Sequence, residues 1–252
     1  MQVGLIGAGN MARALARGWR EPVLCSDGGS GRARELAEEL GGEAVGSNIE
    51  VARRAELVVL CHKPAQLADV AQEIAAETRA VASVLGGVTL TSLQDSYPGV
   101  PVIRTMPNTP VEVRRGVTGY TPGAGVDAQF ERAVVKRFER LGVMVKVRES
   151  LLDAVAGLSG VGPAYDALVV EAQVDAAVRY GLDPGLAGRL AAETMAGTAA
   201  LLAHRGYATQ VVRREVTSPG GSTARGLAAL ERAGIRAAFQ DAMDAVTGWS
   251  HG

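Results

Sequence analysis

The chain has 252 residues, of which 47% are hydrophobic, so it can form one large domain or two smaller ones with a substantial core. Its formal net charge of −1 argues against binding to nucleic acids or to anionic membrane surfaces. Two cysteines without metal or disulfide spacing, and the lack of a signal-peptide pattern or a membrane-spanning apolar run, predict a cytoplasmic protein.

Short apolar runs alternate with helical patterns over the first part of the chain. Strands are predicted at 2–6, 22–27, 42–46, 56–61, 80–86 and 100–106. The segments between them have helical periodicity, and this alternation predicts a parallel, doubly wound α/β sheet. Two later runs, 116–122 and 143–147, flank a predicted helix near 127–141 and are candidates for edge strands.

The pattern changes after residue 149. From Leu151 onward we predict helices and no strand, and the many Ala and Gly positions allow close helix packing. The apolar content is high for a thin helical layer, which predicts burial in a homodimer. We therefore expect a dinucleotide-binding Rossmann domain at 1–149 and a helical substrate and dimerisation domain at 150–252.

A glycine motif follows the first predicted strand. Gly7 and Gly9, with Ala12 three residues further on, open the first helix in the G-x-G-x-x-A spacing. The first glycine allows the turn, and the second lets the backbone approach a pyrophosphate. This motif, at the start of a βαβ pattern, predicts dinucleotide binding.

The end of the second predicted strand leaves the choice of nicotinamide cofactor open. Asp27 is placed to accept from a ribose 2′-OH, which favours NAD. The same loop carries groups that suit a 2′-phosphate and favour NADP, on Ser26, Ser30, Arg32 and Arg34. Asn48, at the next helix start, either reaches this ribose or caps the helix.

Two further loops follow strands at the edge where such sheets bind ligands. In the first loop, His62 and Lys63 precede Pro64, and Lys63 either binds the cofactor or is a solvated charge. In the second, 106–110, Asn108 either contacts the nicotinamide or satisfies backbone groups.

The segment 217–223, TSPGGST, forms a predicted tight turn before a helix. A helix N-terminus offers free N–H groups that bind a carboxylate or a phosphate, and the alternative is an ordinary N-cap. We see no nucleophilic triad and no metal site. The chain has three lysines, none beyond residue 146, so the helical region lacks a lysine acid for carbonyl reduction. A protonated imine relaxes that need because it is already electrophilic.

Taken together, the motifs IGAGNMA, KP, VIRTMPNTP, LLDAVAGLSGVGPAY and VTSPGGST resemble pyrroline-5-carboxylate reductases, in the same order and nearly end to end. The resemblance implies a Rossmann domain, a helical dimerisation domain, and active sites where domains of different subunits meet. It also implies hydride transfer from NAD(P)H to C5 of a cyclic imine, with NADP as cofactor and NAD as the alternative. A homodimer, or a larger homo-oligomer built from dimers, is expected with it.

The resemblance also assigns roles to single residues. It implies that the substrate carboxylate binds at Ser218, Gly220, Gly221, Ser222 and Thr223. Thr223 matches the threonine that hydrogen-bonds the ring nitrogen and is the implied catalytic residue. The implied cofactor-binding residues are Ile6, Gly7, Ala8, Gly9, Asn10, Met11, Ser26, Asp27, Asn48, His62, Lys63, Pro64, Gly86 and Asn108.

Some positions depart from the family pattern. His62 stands where a small apolar residue is usual, Val161 replaces a serine, and Arg214 lies where an acid is more common. Ser222 is a milder change. These departures keep two alternatives open: a paralogue that reduces another cyclic imino acid, and a non-catalytic NAD(P)-binding protein.

Overall fold

The computed structural model describes residues 1–248. All eight predicted strands are present, and they form one sheet in the order β3-β2-β1-β4-β5-β6-β7-β8. The strands are β1 Val3–Ile6, β2 Leu24–Ser26, β3 Glu43–Ala44, β4 Leu57–Leu60, β5 Val81–Ser83, β6 Val102–Pro107, β7 Gly116–Pro122 and β8 Gly142–Lys146. The first six are parallel, whereas β7 pairs antiparallel to β6 and β8 pairs parallel to β7.

Helices connect and cover these strands. The helices before residue 160 are α1 Asn10–Trp19, α2 Arg32–Leu40, α3 Asn48–Arg54, α4 Leu67–Ile74, α5 Leu90–Ser96, α6 Ala128–Glu139 and α7 Leu152–Val155. The later ones are α8 Gly162–Val178, α9 Pro184–His204, α10 Thr209–Glu215, α11 Ser222–Arg232 and α12 Ile235–Thr247. Helix α10 is an addition to the prediction. After Lys146 the described residues contain no strand, as expected.

The centre of the sheet is buried on both faces, and its strands β1 and β4 are apolar throughout. Alternate residues of β1 face opposite sides: Leu5 packs in the layer with Trp19, whereas Ile6 packs in the layer with Val51 and Leu93. Burial on both faces is what makes a parallel strand read as a continuous apolar run. The core therefore holds the ends of β1, β2 and β4 in a rigid frame.

An aromatic cluster fixes α1 against α6. The rings of Trp19 and Phe138 meet edge to face at 5.5 Å between centroids, and the Arg137 guanidinium lies 5.1 Å from the Trp19 ring centre. Trp19 Nε1 donates to the Arg137 carbonyl at 3.1 Å. A fully buried indole thus keeps its polar atom satisfied while its ring fills the core.

Several helices begin with side-chain caps. Ser47, Thr89, Asp127 and Asp183 accept from first-turn N–H groups of α3, α5, α6 and α9. Helices α1 and α11 instead begin after glycines, Gly9 and Gly221, with no side-chain cap. Their first-turn N–H groups stay available to a ligand.

The chain divides into two compact units, of which the first is Met1–Pro163 and the second begins at Ala164. The predicted domain boundary at residues 149 and 150 stays a prediction, and residues 249–252 lie outside the described part of the chain. In the second unit, α8 and α9 are long and largely exposed in the single chain. No helix within residues 1–248 is both long and apolar enough to cross a bilayer.

Candidate functional site

A cleft of about 650 Å³ lies at the carboxyl ends of β1, β2 and β4. Its walls come from residues 6–9 after β1, from the loop after β2, and from residues 61–64 after β4. Asn48 of α3, Gln66 and Val70 complete the lining. The carboxyl edge of a parallel sheet is where such folds bind nucleotides, so the cleft is the candidate cofactor site.

The two glycines of the first loop differ in what constrains them. Gly7 has φ +95, and a Cβ there would stand 2.7 Å from the carbonyl carbon and oxygen of Cys61. Its glycine is therefore required by the fold. A Cβ on Gly9 would meet no protein atom within 4 Å. Open space beside an uncapped helix N-terminus is what a close pyrophosphate needs, so this cradle fits a dinucleotide.

Asp27, at the end of β2, is hydrogen-bonded by its own loop. Oδ1 accepts from the Gly29 N–H at 2.9 Å, and Oδ2 accepts from Ser30 Oγ at 2.8 Å and the Ala33 N–H at 2.9 Å. Burial alone raises the pKa of Asp27, but these bonds, led by the one from Ala33, outweigh it and hold the pKa below its ordinary value. The N-cap residue of α2 is Gly31, and Asp27 caps the first turn from the preceding loop by binding the Ala33 N–H.

We predict that Asp27→Ala lowers the free energy of unfolding by about 1 kcal/mol at neutral pH, the usual cost of a lost helix cap. Because the folded-state pKa is depressed, this contribution is present above the unfolded pKa of aspartate and is lost as pH falls through the folded pKa. Urea unfolding of both proteins between pH 7 and pH 3 measures it. The difference between them should shrink toward acid pH, and a constant difference would contradict the capping role.

Asn48 lines the cleft but does not cap its helix. Ser47 is the N-cap of α3, and its hydroxyl accepts from the Glu50 N–H, so the capping alternative for Asn48 is wrong. Asn48 Oδ1 accepts from Ser26 Oγ at 2.7 Å, and its Nδ2 donates to Glu73 at 2.7 Å. Ser26 is buried, and this bond to Asn48 is its contact with the cleft lining.

His62 and Lys63 form the opposite wall of the cleft. The His62 Nδ1 lies 2.9 Å from the Lys63 carbonyl, which only accepts, so Nδ1 carries the proton. Burial lowers the pKa of His62, and the bond to Lys63 offsets part of that change. The imidazole is therefore neutral at pH 7, and its Nε2 is buried without a hydrogen-bond partner among residues 1–248. Lys63 is exposed and has no ion pair within residues 1–248.

The remaining predicted cofactor residues lie outside the cleft lining: Asn10, Met11, Ser26, Gly86 and Asn108. Asn108 is buried; its Nδ2 donates to the Ser159 carbonyl at 3.0 Å and its Oδ1 accepts from the Val117 N–H at 2.8 Å. These bonds support the alternative in which Asn108 satisfies backbone groups, and they give no support to a nicotinamide contact. Met11 packs against the core, whereas Gly86 is exposed beyond β5.

In the second unit, TSPGGST forms the predicted turn. The Gly221 N–H donates to the Ser218 carbonyl at 3.1 Å, and Gly220 adopts φ +68, a conformation that favours glycine. Arg225 Nη1 donates to the Gly220 carbonyl at 2.8 Å and steadies the turn. Gly221 therefore shapes the turn, and its N–H is not free for a ligand.

The free donors lie one step further along the chain. The N–H groups of Ser222, Thr223 and Ala224 have no intramolecular partner in the described part of the chain. The hydroxyls of Ser222 and Thr223 are exposed and equally without a partner there. The segment does contain the N-cap of α11, which is Gly221, but neither hydroxyl caps the helix. The turn presents three N–H groups and two hydroxyls, a fit for a carboxylate.

Some contributors to these sites carry no sequence motif. Gln66 accepts from the Lys63 N–H at 3.1 Å and lines the cleft, while Glu73 orients Asn48. Arg225 follows TSPGGST closely but is a surface arginine by pattern. Only the fold places these side chains. No group of three or more His, Cys, Asp or Glu side chains able to hold a metal lies within residues 1–248.

Comparison with known proteins decides the family. A model described as pyrroline-5-carboxylate reductase dimerisation matches residues 149–251, and one described as NADP oxidoreductase, coenzyme F420-dependent, matches residues 2–87. The chain is 36% identical to a pyrroline-5-carboxylate reductase of Methanosarcina acetivorans over 253 residues, which covers 96% of this chain and 94% of the relative. The chain belongs to the pyrroline-5-carboxylate reductase family.

Solved structures of this family have the same fold. The pyrroline-5-carboxylate reductase of Coxiella burnetii superposes with a TM-score of 0.87 at 30% identity, covering 98% of this chain and 96% of that one. The Plasmodium falciparum pyrroline carboxylate reductase, solved with NADP bound, gives 0.88 at 26% identity, with 98% and 96% coverage.

These matches confirm the predicted pyrroline-5-carboxylate reductase family, its α/β and helical architecture, and an enzyme that uses NAD(P). The roles of single residues stay predictions, because a family match does not test them one by one.

Proposed function

We propose that this pyrroline-5-carboxylate reductase makes L-proline from 1-pyrroline-5-carboxylate, with the start of α11 binding the substrate. The observation that carries this proposal is the uncapped turn before α11, where three N–H groups and two hydroxyls have no partner within residues 1–248. When bound, NAD(P)H supplies the hydride that adds to C5 of the ring.

Each part of the turn has a separate role. The N–H groups of Ser222, Thr223 and Ala224 bind the substrate carboxylate, aided by the positive end of the α11 dipole. Ser218 and Gly220 hold the turn through backbone geometry, and Gly221 closes it. The Thr223 hydroxyl hydrogen-bonds the ring nitrogen. It donates or accepts without placing a second charge beside a cationic imine, so no titrating residue is required.

The first unit supplies the cofactor site. Residues Ile6 to Met11 carry the pyrophosphate at the start of α1, where Gly9 leaves room for it. Lys63 offers a charge without an ion pair in the described part of the chain, and His62 and Pro64 shape the wall beside it. Gly86 and Asn108 are proposed on the nicotinamide side by resemblance alone.

We further propose a homodimer, or a larger oligomer of dimers, in the cytoplasm. Leu168 on α8 is 62% exposed, and Leu186 and Leu190 on α9 are 48% and 51% exposed in the single chain. Exposed apolar helix faces of this kind are typical of subunit interfaces. The family model described as pyrroline-5-carboxylate reductase dimerisation matches this region. The domain division at 1–149 and 150–252 belongs to the same proposal.

The test is turnover of the purified protein. With 1-pyrroline-5-carboxylate as the substrate, we expect oxidation of NADPH or NADH, measured as a loss of absorbance, and release of proline. A series of cyclic imino acids with larger rings should react more slowly. Faster reduction of a larger ring would favour the paralogue alternative that His62 and Val161 keep open. Cofactor binding without turnover of any imine would favour the non-catalytic alternative.

A further inference from the structure

Most of the acceptor capacity of Asp27, at the end of β2, is used by its own loop. A carboxylate offers about four lone-pair sites. Gly29 N–H, Ser30 Oγ and Ala33 N–H occupy three of these sites on Asp27. Two of these donors are backbone groups, and the Ala33 N–H belongs to the first turn of α2, so they also offset part of the negative charge. Asp27 therefore has little capacity left to bind a 2′-OH, and its charge opposes a 2′-phosphate less than that of a free carboxylate.

The charge that faces the cleft from this loop is Arg32. Its side chain is exposed, lines the cleft, and has no ion-pair partner within residues 1–248. Some arginines of this unit are paired, such as Arg13 with Glu35 and Arg17 with Glu39. Arg34, like Arg32, has no ion pair within residues 1–248, but it does not line the cleft. An unpaired guanidinium in a nucleotide cleft is suited to bind a phosphate with two parallel bonds.

We propose that Arg32 selects NADPH over NADH by binding the 2′-phosphate, and that Asp27 positions the loop carrying Arg32 and does not bind the ribose. This inference rests on the proposed function, because it assigns the cofactor preference of the same cleft. It also decides between the two alternatives that the sequence leaves open at this loop: Asp27 has a structural role, and Arg32 determines the cofactor specificity.

The decisive experiment measures Kd for NADPH and NADH by titration calorimetry without an imine substrate. Arg32→Ala should raise Kd for NADPH about 10- to 100-fold, the effect of a lost charge-assisted bond, and leave Kd for NADH within about twofold. Arg32→Lys should recover part of the NADPH affinity, because lysine keeps the positive charge but cannot donate the two parallel bonds of a guanidinium.

Arg34→Ala is the matched control. Arg34 lies two residues further along α2, is exposed, and does not line the cleft. Its removal should change neither Kd by more than about twofold if close contact, and not general charge, binds the phosphate. An equal loss of NADPH affinity in the Arg32 and Arg34 variants would overturn the proposal. An equal loss of affinity for NADPH and NADH in Arg32→Ala would overturn it as well.

A second variant tests Asp27. Asp27→Ala should weaken the binding of NADPH at least as much as that of NADH, because it loosens the loop that carries Arg32. Selective weakening of NADH would show that Asp27 binds the ribose and would overturn its positioning role. All these binding constants are independent of turnover. A protein that selects NADPH through Arg32 but reduces no imine would leave this inference standing while contradicting the proposed function.

Discussion

Replacing Thr223 by valine should lower kcat with 1-pyrroline-5-carboxylate about 10- to 100-fold, the cost of losing one hydrogen bond to a charged reacting group. Valine keeps the β-branched shape, so the start of α11 should be preserved. The Thr223 hydroxyl is exposed and without a partner in residues 1–248, so its removal breaks no intramolecular bond. Steady-state kinetics at saturating NADPH measure the change.

Two controls separate this chemistry from disturbance of the turn. Thr223→Ser keeps the hydroxyl and should restore most of kcat. Ser222→Ala keeps the N–H but removes the neighbouring hydroxyl, which is among the groups that fit the carboxylate, so it should affect KM more than kcat. The Kd for NADPH should stay within about twofold in all three variants. An unchanged kcat in Thr223→Val would remove Thr223 from the mechanism.

Gly7→Ala should destabilise the first unit by about 2–4 kcal/mol, because it combines strain at positive φ with overpacking. The added Cβ would stand 2.7 Å from backbone atoms of Cys61 and His62, which belong to the loop after β4 and cannot move aside cheaply. Thermal unfolding monitored by circular dichroism should show a clear fall in Tm.

Gly9→Ala is the matched variant two residues away. Its Cβ meets no protein atom within 4 Å, and Gly9 has φ −75, which any residue adopts. Its Tm should stay within a few degrees of the wild type. The Kd for NADPH should rise about tenfold or more, because the methyl group fills space proposed for the pyrophosphate. A stable Gly7→Ala, or a Gly9→Ala that binds NADPH normally, would contradict this division.

The central strands of the sheet were predicted well because they are buried on both faces. Residues 57–61 are apolar without alternation, and the first four of them form β4, with all four residues buried. The apolar pattern does not predict the direction of β7, which has a simple physical cause. Only residues 108–115 separate it from β6, too few for the crossover that a parallel neighbour needs.

Helix α10 was missed because little in its sequence marks a helix. It has seven residues, Ala208 offers no capping side chain, and only Val212 is buried. Neighbouring valines are as typical of strands as of helices. Short helices depend on tertiary context more than on propensity, and that context is not visible in a pattern.

The candidate site was predicted in its loops but not in its hydrogen bonds. The sequence placed Asp27, Asn48 and Asn108 at the correct edge of the sheet. It left open whether their polar atoms face a ligand or the protein, because that depends on backbone groups such as Ala33 N–H and Val117 N–H that any residue provides. Side-chain identity alone does not say which backbone groups remain unsatisfied.

The glycine starts of α1 and α11 link binding to folding. A helix that begins without a side-chain cap forgoes the stabilisation that Ser47 or Asp183 gives elsewhere in this chain. In the proposed binding mode, pyrophosphate and carboxylate oxygens take that role, so each bound molecule would act as an exchangeable cap. The supply of cofactor and substrate is then expected to set how firmly the first turns of α1 and α11 are anchored, and we expect bound ligand to slow proteolysis of the protein.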